Sequence, residues 1–322
     1  MLKFNIPGTY DHHGLNMFLL QHMVDEPELF REDIKISSVF GNFPYCIWDG
    51  GRNFPRVHQC TKEEIRYIKQ TYDMYNIPLR LVFTNPVIEE EHLYDRYCNL
   101  ILKELNNNNN EIVVNSPLLE EYLRSEYPGY KIISSTTKRL GKKEFLTELS
   151  KEDYYQVCLD YDLNHDQELL DSIPMKDRSK VEILSNAICP AHCAFRKQHY
   201  DCTGHSQLTF ARDGYTVNGV CGIKTTLNHP SALGKGNNLS IEEMREYSKK
   251  GFNTFKLEGR TLSSTAMLAN YLYYFAKPEA IFYLIEKAGC LEGIYVNDKN
   301  GPLCGDLYEP ERINLDKNIV YH

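Results

Sequence analysis

Short apolar runs alternate with longer amphipathic segments along most of the 322-residue chain. The runs are rich in Val, Ile, Leu and Phe and are bounded by Pro, Gly or Asn, which is typical of strands. Because they show little polar alternation, we expect them to be buried on both faces, as in a parallel sheet. Eight strands are predicted, over residues 2–6, 34–40, 79–84, 111–115, 131–135, 155–160, 181–185 and 252–258.

The segments between these strands have helical periodicity. Glu89 to Leu105, for example, places its apolar side chains on one face. Two helix starts carry capping boxes, one at Thr61 and Glu64 and one at Ser240 and Glu243. Helices are predicted over residues 15–24, 61–75, 89–105, 117–126, 142–149, 166–172, 240–250, 261–275 and 278–288.

Strands that alternate with helices in this number predict an α/β fold, a (β/α)8 TIM-type barrel. A doubly wound sheet is the alternative, but Gly8 and Gly14 do not match its glycine-rich first turn. The barrel domain is expected to span residues 1–276 and to include a cysteine-bearing insertion after strand 7, residues 187–239, which lacks periodicity. Residues 277–322 are expected to form a C-terminal helical extension and tail.

Composition and charge narrow the functional classes. The net charge is −8, so RNA is a possible but unfavoured partner and a small-molecule substrate is preferred. No apolar run is long enough for a membrane span, so no membrane partner is expected. Ten cysteines without a secretion signal predict a cytoplasmic protein with reduced thiols.

Polar residues follow nearly every predicted strand, at the end where barrel active sites lie. Each one alone is explained by helix capping or loop hydrogen bonding, but the set predicts a polar pocket. These residues are Asp11, His12, Cys46, Asp49, Arg52, Asn85, Asn115, Ser135, Asp160, Asp162, Asn186, Lys256, Glu258 and Arg260.

Cysteines cluster after strand 7. A polar segment of 33 residues contains Cys189, Cys193, Cys202 and Cys221. Soft thiolate ligands favour zinc or an iron–sulfur cluster, although buried structural thiols are the alternative. Zinc is the less favoured metal because the two-residue spacing of a zinc knuckle is absent. Three histidines in the same segment, His192, His199 and His205, are back-up ligands.

Residues Asn186 to Tyr200, together with the closing strand Phe255-Lys256-Leu257-Glu258-Gly259-Arg260, resemble the collagenase-like peptidase superfamily (unassigned-peptidase family 32). That superfamily includes iron–sulfur proteins that hydroxylate ubiquinone precursors and RNA bases without oxygen. The resemblance covers roughly residues 1 to 276.

The resemblance implies a 4Fe–4S cluster held by Cys189, Cys193, Cys202 and Cys221, with Cys46 as an alternative fourth ligand. Arg196 would offset part of the negative charge of the cluster. Prephenate is the oxygen donor in related proteins and is a candidate cofactor here.

The closing strand supplies the other candidate catalytic residues. Lys256, Glu258 and Arg260 alternate along it and are predicted to bind a carboxylate substrate and to orient a proton donor. Asp11 and His12 are the other candidate catalytic residues. An internal ion pair between the lysine and the glutamate is the structural alternative. Arg52 is a second predicted anion anchor, because its guanidinium matches a carboxylate.

Three functions follow from these patterns. The first is an iron–sulfur enzyme that hydroxylates an aromatic or nucleobase substrate. The second is a peptidase, although neither Gly-x-Ser-x-Gly nor His-Glu-x-x-His is present. The third is a non-catalytic, cluster-carrying subunit that binds a second barrel protein of the same family.

Overall fold

The eight parallel strands form a closed barrel in a computed structural model of the chain. The structure describes residues 1–51, 58–187, 189, 191–210, 238–260, 262–289, 294–297 and 301–304. Each strand pairs with the next one along the chain, and β1 (Leu2–Pro7) also pairs with β8 (Thr254–Lys256) to close the ring. The sequence prediction of a (β/α)8 TIM-type barrel is therefore confirmed.

Strands and helices alternate in the predicted order. The other barrel strands are β2 (Ile34–Gly41), β3 (Leu79–Phe83), β4 (Glu111–Val114), β5 (Lys131–Ser134), β6 (Gln156–Cys158) and β7 (Val181–Leu184). The helices are α1 (His13–Asp25), α2 (Lys62–Asp73), α3 (Arg96–Leu105), α4 (Pro117–Glu126), α5 (Lys142–Leu149), α6 (Gln167–Ser172), α7 (Arg196–Leu208), α8 (Ile241–Lys249), α9 (Ser264–Phe275) and α10 (Ile281–Lys287). Both predicted capping boxes are present, at the starts of α2 and α8.

Two predicted elements differ from the structure. The predicted helix over residues 89–105 is divided into a 3₁₀ turn (Glu90–Tyr94) and α3, because Asp95 caps the second part through the N–H of Cys98. Helix α7 lies in the segment predicted to lack periodicity. Its buried face is mostly polar, with Arg196, Thr203 and Gln207 among the buried residues, so it carries no apolar repeat.

The chain after α9 contains α10 and a two-stranded antiparallel hairpin, formed by β9 (Ile294–Asn297) and β10 (Gly301–Cys304). The hairpin was not predicted. The division into a barrel domain and a C-terminal extension stays a prediction. No helix of the described residues is both long and apolar enough to cross a membrane.

The interior of the barrel holds charged residues in addition to the usual apolar layers. Arg80 on β3 is 1% exposed, and its Nε lies 2.6 Å from Glu111 Oε2 while its Nη1 lies 2.7 Å from Glu182 Oε2. Gln156 accepts a further hydrogen bond from Arg80, and Asn5 donates one to Glu182. This buried network joins strands across the barrel axis, and its hydrogen bonds offset part of the cost of desolvating the charges.

The Arg80 network generates a stability prediction. Arg80→Met is expected to lower the free energy of unfolding by about 3–5 kcal/mol, because two buried carboxylates lose their cation. Urea denaturation measures the change. Arg66→Met is the control, since Arg66 pairs with Glu104 at the surface and its loss should leave the denaturation midpoint almost unchanged. Equal stability of the wild type and Arg80→Met would contradict this account of the interior.

Candidate functional site

A cavity opens at the carboxyl ends of the barrel strands. Its accessible volume is about 70 Å³, and it opens to solvent. Its lining comes from β2 to β8, the loops that follow them, and α7, and includes Phe40, Thr84, Ser135, Tyr161, Leu184, Tyr200, Lys256, Glu258 and Arg260. The cavity lies where active sites of such barrels are found.

Helix α7 crosses the opening of this cavity. At its first residue, Arg196 Nη2 lies 2.9 Å from Asp160 Oδ1 and also bonds Asp162, both in the loop after β6. The guanidinium stacks on the Tyr161 ring, 4.0 Å from the ring centre. The predicted role of Arg196 beside a cluster is therefore untested, but the structure shows what it binds. It attaches the start of α7 to the end of β6.

The other end of α7 is attached to the loops after β2 and β3. Asn85 Nδ2 donates to the carbonyl of Gly204 at 3.2 Å, and Gln207 Nε2 donates to the carbonyl of Cys46 at 3.1 Å. A Cβ at position 204 would lie 2.4 Å from Asn85 Oδ1, so glycine permits this close approach. Tyr200, between the two attachments, reaches the cavity.

Lys256 places a buried ammonium group in the cavity wall. Its residue is 9% exposed, and its Nζ lies 4.2 Å from the centre of the Phe40 ring. In the described part of the chain, no carboxylate lies within 4.0 Å of Nζ, so the alternative of an ion pair with Glu258 is not what the structure shows. Burial lowers the pKa of Lys256, while the negative charge of Glu182 acts in the opposite direction.

Glu258 and Arg260, the next two alternate residues after Lys256, have different partners. The backbone N–H of Glu258 donates to Asn186 Oδ1 at 2.6 Å, and Asn186 Nδ2 returns a bond to the Glu258 carbonyl at 3.0 Å. Arg260 reaches the loop after β2, where Nη1 lies 2.6 Å from Asp49 Oδ1 and Nη2 donates to the Gly50 carbonyl. The closing motif therefore connects β8 to its neighbour β7 and to the β2 loop.

Sequence reasoning missed two polar groups that line the cavity. Thr84 and Tyr161 are each 2% exposed, and their hydroxyl groups make no hydrogen bond of good geometry with the described residues. Buried hydroxyls normally have a partner, so both are available to a polar ligand. Neither belongs to a motif, and only the closed ring brings them near Lys256.

Asp11 and His12 occupy the loop after β1. His12 is 3% exposed, and its Nε2 lies 3.2 Å from the carbonyl of Gly259, a cavity-lining residue. Burial lowers the pKa of His12 to about 4, so the imidazole is neutral above that pH. Its Nδ1 lies 3.4 Å from the hydroxyl of Ser264 at the start of α9, a pair that the sequence did not suggest. Asp11 is only partly buried.

The predicted cluster ligands differ in their surroundings. Cys189, Cys193 and Cys202 are partly exposed cysteines of the segment after β7, and Cys189 packs beside Tyr161. Cys46, by contrast, is fully buried with its Sγ 3.4 Å from that of Cys98. Cys221 and Arg52 lie outside the described residues.

The positions of the described cysteines after β7 argue against a site for a single metal ion. No group of three potential ligands within 4.8 Å of one another in the described chain includes Cys189, Cys193 or Cys202. A 4Fe–4S cluster holds its thiolates farther apart than one zinc ion does. The residue type and the partial exposure of these cysteines are therefore consistent with cluster ligands. His192 is largely exposed beside Asp162, and His199 and His205 lie on α7.

The chain is similar to two known proteins over most of its length. No family model matches the chain. An uncharacterized protease of Methanocaldococcus jannaschii is 21% identical over 272 residues, which cover 81% of this chain and 77% of that protein. A solved structure of the U32 peptidase Mk0906 has 15% sequence identity and a TM-score of 0.45, over 80% of this chain and 93% of that one. The chain is thus similar over most of its length to one protein that is named as a protease.

Proposed function

We propose that this protein is an enzyme of the U32 peptidase type that binds the carboxylate of its substrate at Lys256 in the barrel-mouth cavity. The observation that carries the proposal is the buried ammonium of Lys256, which lines the cavity without a carboxylate partner in the described residues. Glu182 offsets part of the cost of burying this charge, and an anion in contact with the ammonium would offset more of it.

The surrounding residues would orient the substrate. The hydroxyls of Thr84 and Tyr161 supply hydrogen bonds to polar atoms next to the carboxylate. Arg196 holds Tyr161 in place from one side, through its stack on the ring and its ion pair with Asp160. Helix α7 and Tyr200 restrict water at the opening, which strengthens electrostatic contacts inside.

Two reactions are proposed for this end of the barrel, one at the cavity mouth and one at His12 and Ser264 beside the cavity-lining Gly259, and the first is redox chemistry. Cys189, Cys193, Cys202 and Cys221 would hold a 4Fe–4S cluster, which supplies electron transfer when bound. The support is that the three described thiols of this set are partly exposed, whereas Cys46, Cys60, Cys98 and Cys158 are buried. Hydroxylation of an aromatic or nucleobase substrate, with prephenate as oxygen donor, is the corresponding activity.

The second reaction is hydrolysis of a peptide bond. Ser264 Oγ would attack the carbonyl carbon while its proton passes to His12 Nδ1, and the leaving amine would then take that proton. The Nε2–H of His12 donates to the Gly259 carbonyl, which leaves Nδ1 free to accept. The backbone N–H groups of Ser264 and Thr265 would stabilise the oxyanion, since those of Ala266 and Met267 already bond Ser263. Water then releases the acyl group.

The lysine proposal predicts a charge-dependent affinity. Lys256→Met should weaken binding of carboxylate ligands by about 10–150-fold, since a hydrogen bond to a charged group is worth about 1.5–3 kcal/mol. Calorimetry with aromatic acids and dipeptides, each paired with its amide, measures the effect. Lys249→Met, at an exposed ion pair on α8, is the control. Unchanged carboxylate affinity in Lys256→Met would refute the proposal.

The same site predicts a pH dependence. Because the pKa of Lys256 is lowered, this lysine loses its proton at a lower pH than an exposed lysine does. The affinity of the wild type for carboxylate ligands should therefore decrease as the pH rises through that lower range. Lys256→Arg should keep its affinity over that range because arginine stays charged.

The redox alternative predicts a cluster in protein purified without oxygen. We expect a brown protein with about four iron atoms and four sulfides per chain. Cys193→Ala and Cys221→Ala should lose most of the iron, whereas Cys46→Ala should keep it. A colourless anaerobic preparation without iron would exclude this reaction and leave the lysine site unaffected.

The hydrolytic alternative predicts a reactive serine. A fluorophosphonate probe should label Ser264 at neutral pH, and labelling should be lost in Ser264→Ala and fall strongly in His12→Gln. Labelling should decrease below a pH of about 4, because His12 becomes protonated there. Thr209→Ala, at the end of α7, serves as a hydroxyl control. Peptide cleavage that persists in Ser264→Ala would show that another group is the nucleophile.

A further inference from the structure

A second group of metal-ligand residues lies apart from the cavity and from the cysteines after β7. His58, Cys60 and Glu64 each offer one ligand atom, and the three atoms lie within 4.8 Å of one another. They occupy a short stretch that leads from the loop after β2 into the first turn of α2. No motif signals them, because the spacing His-x-Cys-x₃-Glu is not that of a zinc knuckle.

The fold orients the carboxylate of this group. Glu64 belongs to the capping box of α2, in which its Oε2 accepts the N–H of Thr61 at 2.6 Å. Its other oxygen, Oε1, is left to approach His58 Nε2, at 3.2 Å. Bonds of about 2.0–2.2 Å from nitrogen and oxygen to zinc, in a tetrahedral site, place two ligand atoms at about this separation.

Neighbouring tyrosines contact the Cys60 backbone and the His58 ring. Cys60 is 3% exposed, and its backbone N–H donates to the Tyr97 hydroxyl at 2.9 Å. The Tyr10 ring packs edge-on against the His58 ring, with 6.4 Å between the ring centres. Partners of this kind fix the direction of metal ligands and contribute to affinity.

We propose that His58, Cys60 and Glu64 bind a divalent metal ion of the zinc type and leave one coordination position open. Sulfur, nitrogen and carboxylate oxygen form a ligand set that zinc accepts, and three protein ligands with an open fourth position are typical of catalytic zinc. The side chains of His58 and Glu64 are 46% and 45% exposed, so solvent or a ligand reaches the open position. The site does not depend on the function proposed for the cavity.

Cobalt is a direct probe, since a cobalt–thiolate bond absorbs in the near ultraviolet. Chelator-treated full-length protein should bind one more equivalent of Co²⁺ than Cys60→Ser does, and the difference spectrum should contain the thiolate band. Zn²⁺ should displace the cobalt and raise the melting temperature of the wild type. The cysteines after β7 contribute equally to both spectra and cancel in the difference.

Variants at the exposed ligands keep the test independent of folding at Cys60. Loss of a residue that hydrogen-bonds a metal ligand weakens metal affinity by about 10–100-fold. Glu64→Gln and His58→Ala each remove a ligand itself, so each should weaken zinc affinity by more than that. His165→Ala is the matched control, because His165 lies 3.9 Å from Glu243 with similar exposure. Equal metal content and affinity in the wild type and all three ligand variants would overturn the proposal.

Discussion

The structure depends on a balance of charges inside the barrel. Arg80 lies between Glu111 and Glu182, and Lys256 lies on the cavity side of the same interior. The arginine makes short hydrogen bonds to both carboxylates, which offsets much of the cost of their burial. Lys256 completes the balance in charge and lowers the pKa of Glu182 together with Arg80, against the opposite effect of burial.

This division between the two cations links stability to function. Arg80 has its hydrogen-bond capacity committed within the protein, to Glu111, Glu182 and Gln156. Lys256 contacts the Phe40 ring and lines the cavity, and no carboxylate of the described residues lies within 4.0 Å of its Nζ. The interior therefore holds one cation for folding and one that is available to an anionic ligand.

The sequence predicts the regular part of the barrel well. The strands are short apolar runs, and helices such as α2, α3 and α8 have an apolar face, with capping boxes at α2 and α8, so local signals are sufficient there. Helix α7 shows the limit of this reasoning. Its buried residues are polar because they contact strand-end loops, and such contacts leave no periodic signal.

The candidate site was predicted only in part for a related reason. Lys256, Glu258 and Arg260 share a strand, and the strand ends of a barrel are known to meet, so their common location followed from the sequence. The contacts between distant segments did not follow. Ser264 meets His12 across 252 residues, and Arg260 meets Asp49 across 211, and no local pattern encodes either pair.

The attachments of α7 determine how a ligand can lie across the barrel mouth. Strands β6 and β2 are four positions apart in a ring of eight, so a helix attached near both lies along a diameter of the ring. Within the described residues, that diameter separates the β3–β5 half of the rim from the β7–β1 half. The wall that carries Gly259 and Arg260 belongs to the second half, whereas Ser135 belongs to the first. A molecule that touches both walls therefore passes beneath the helix.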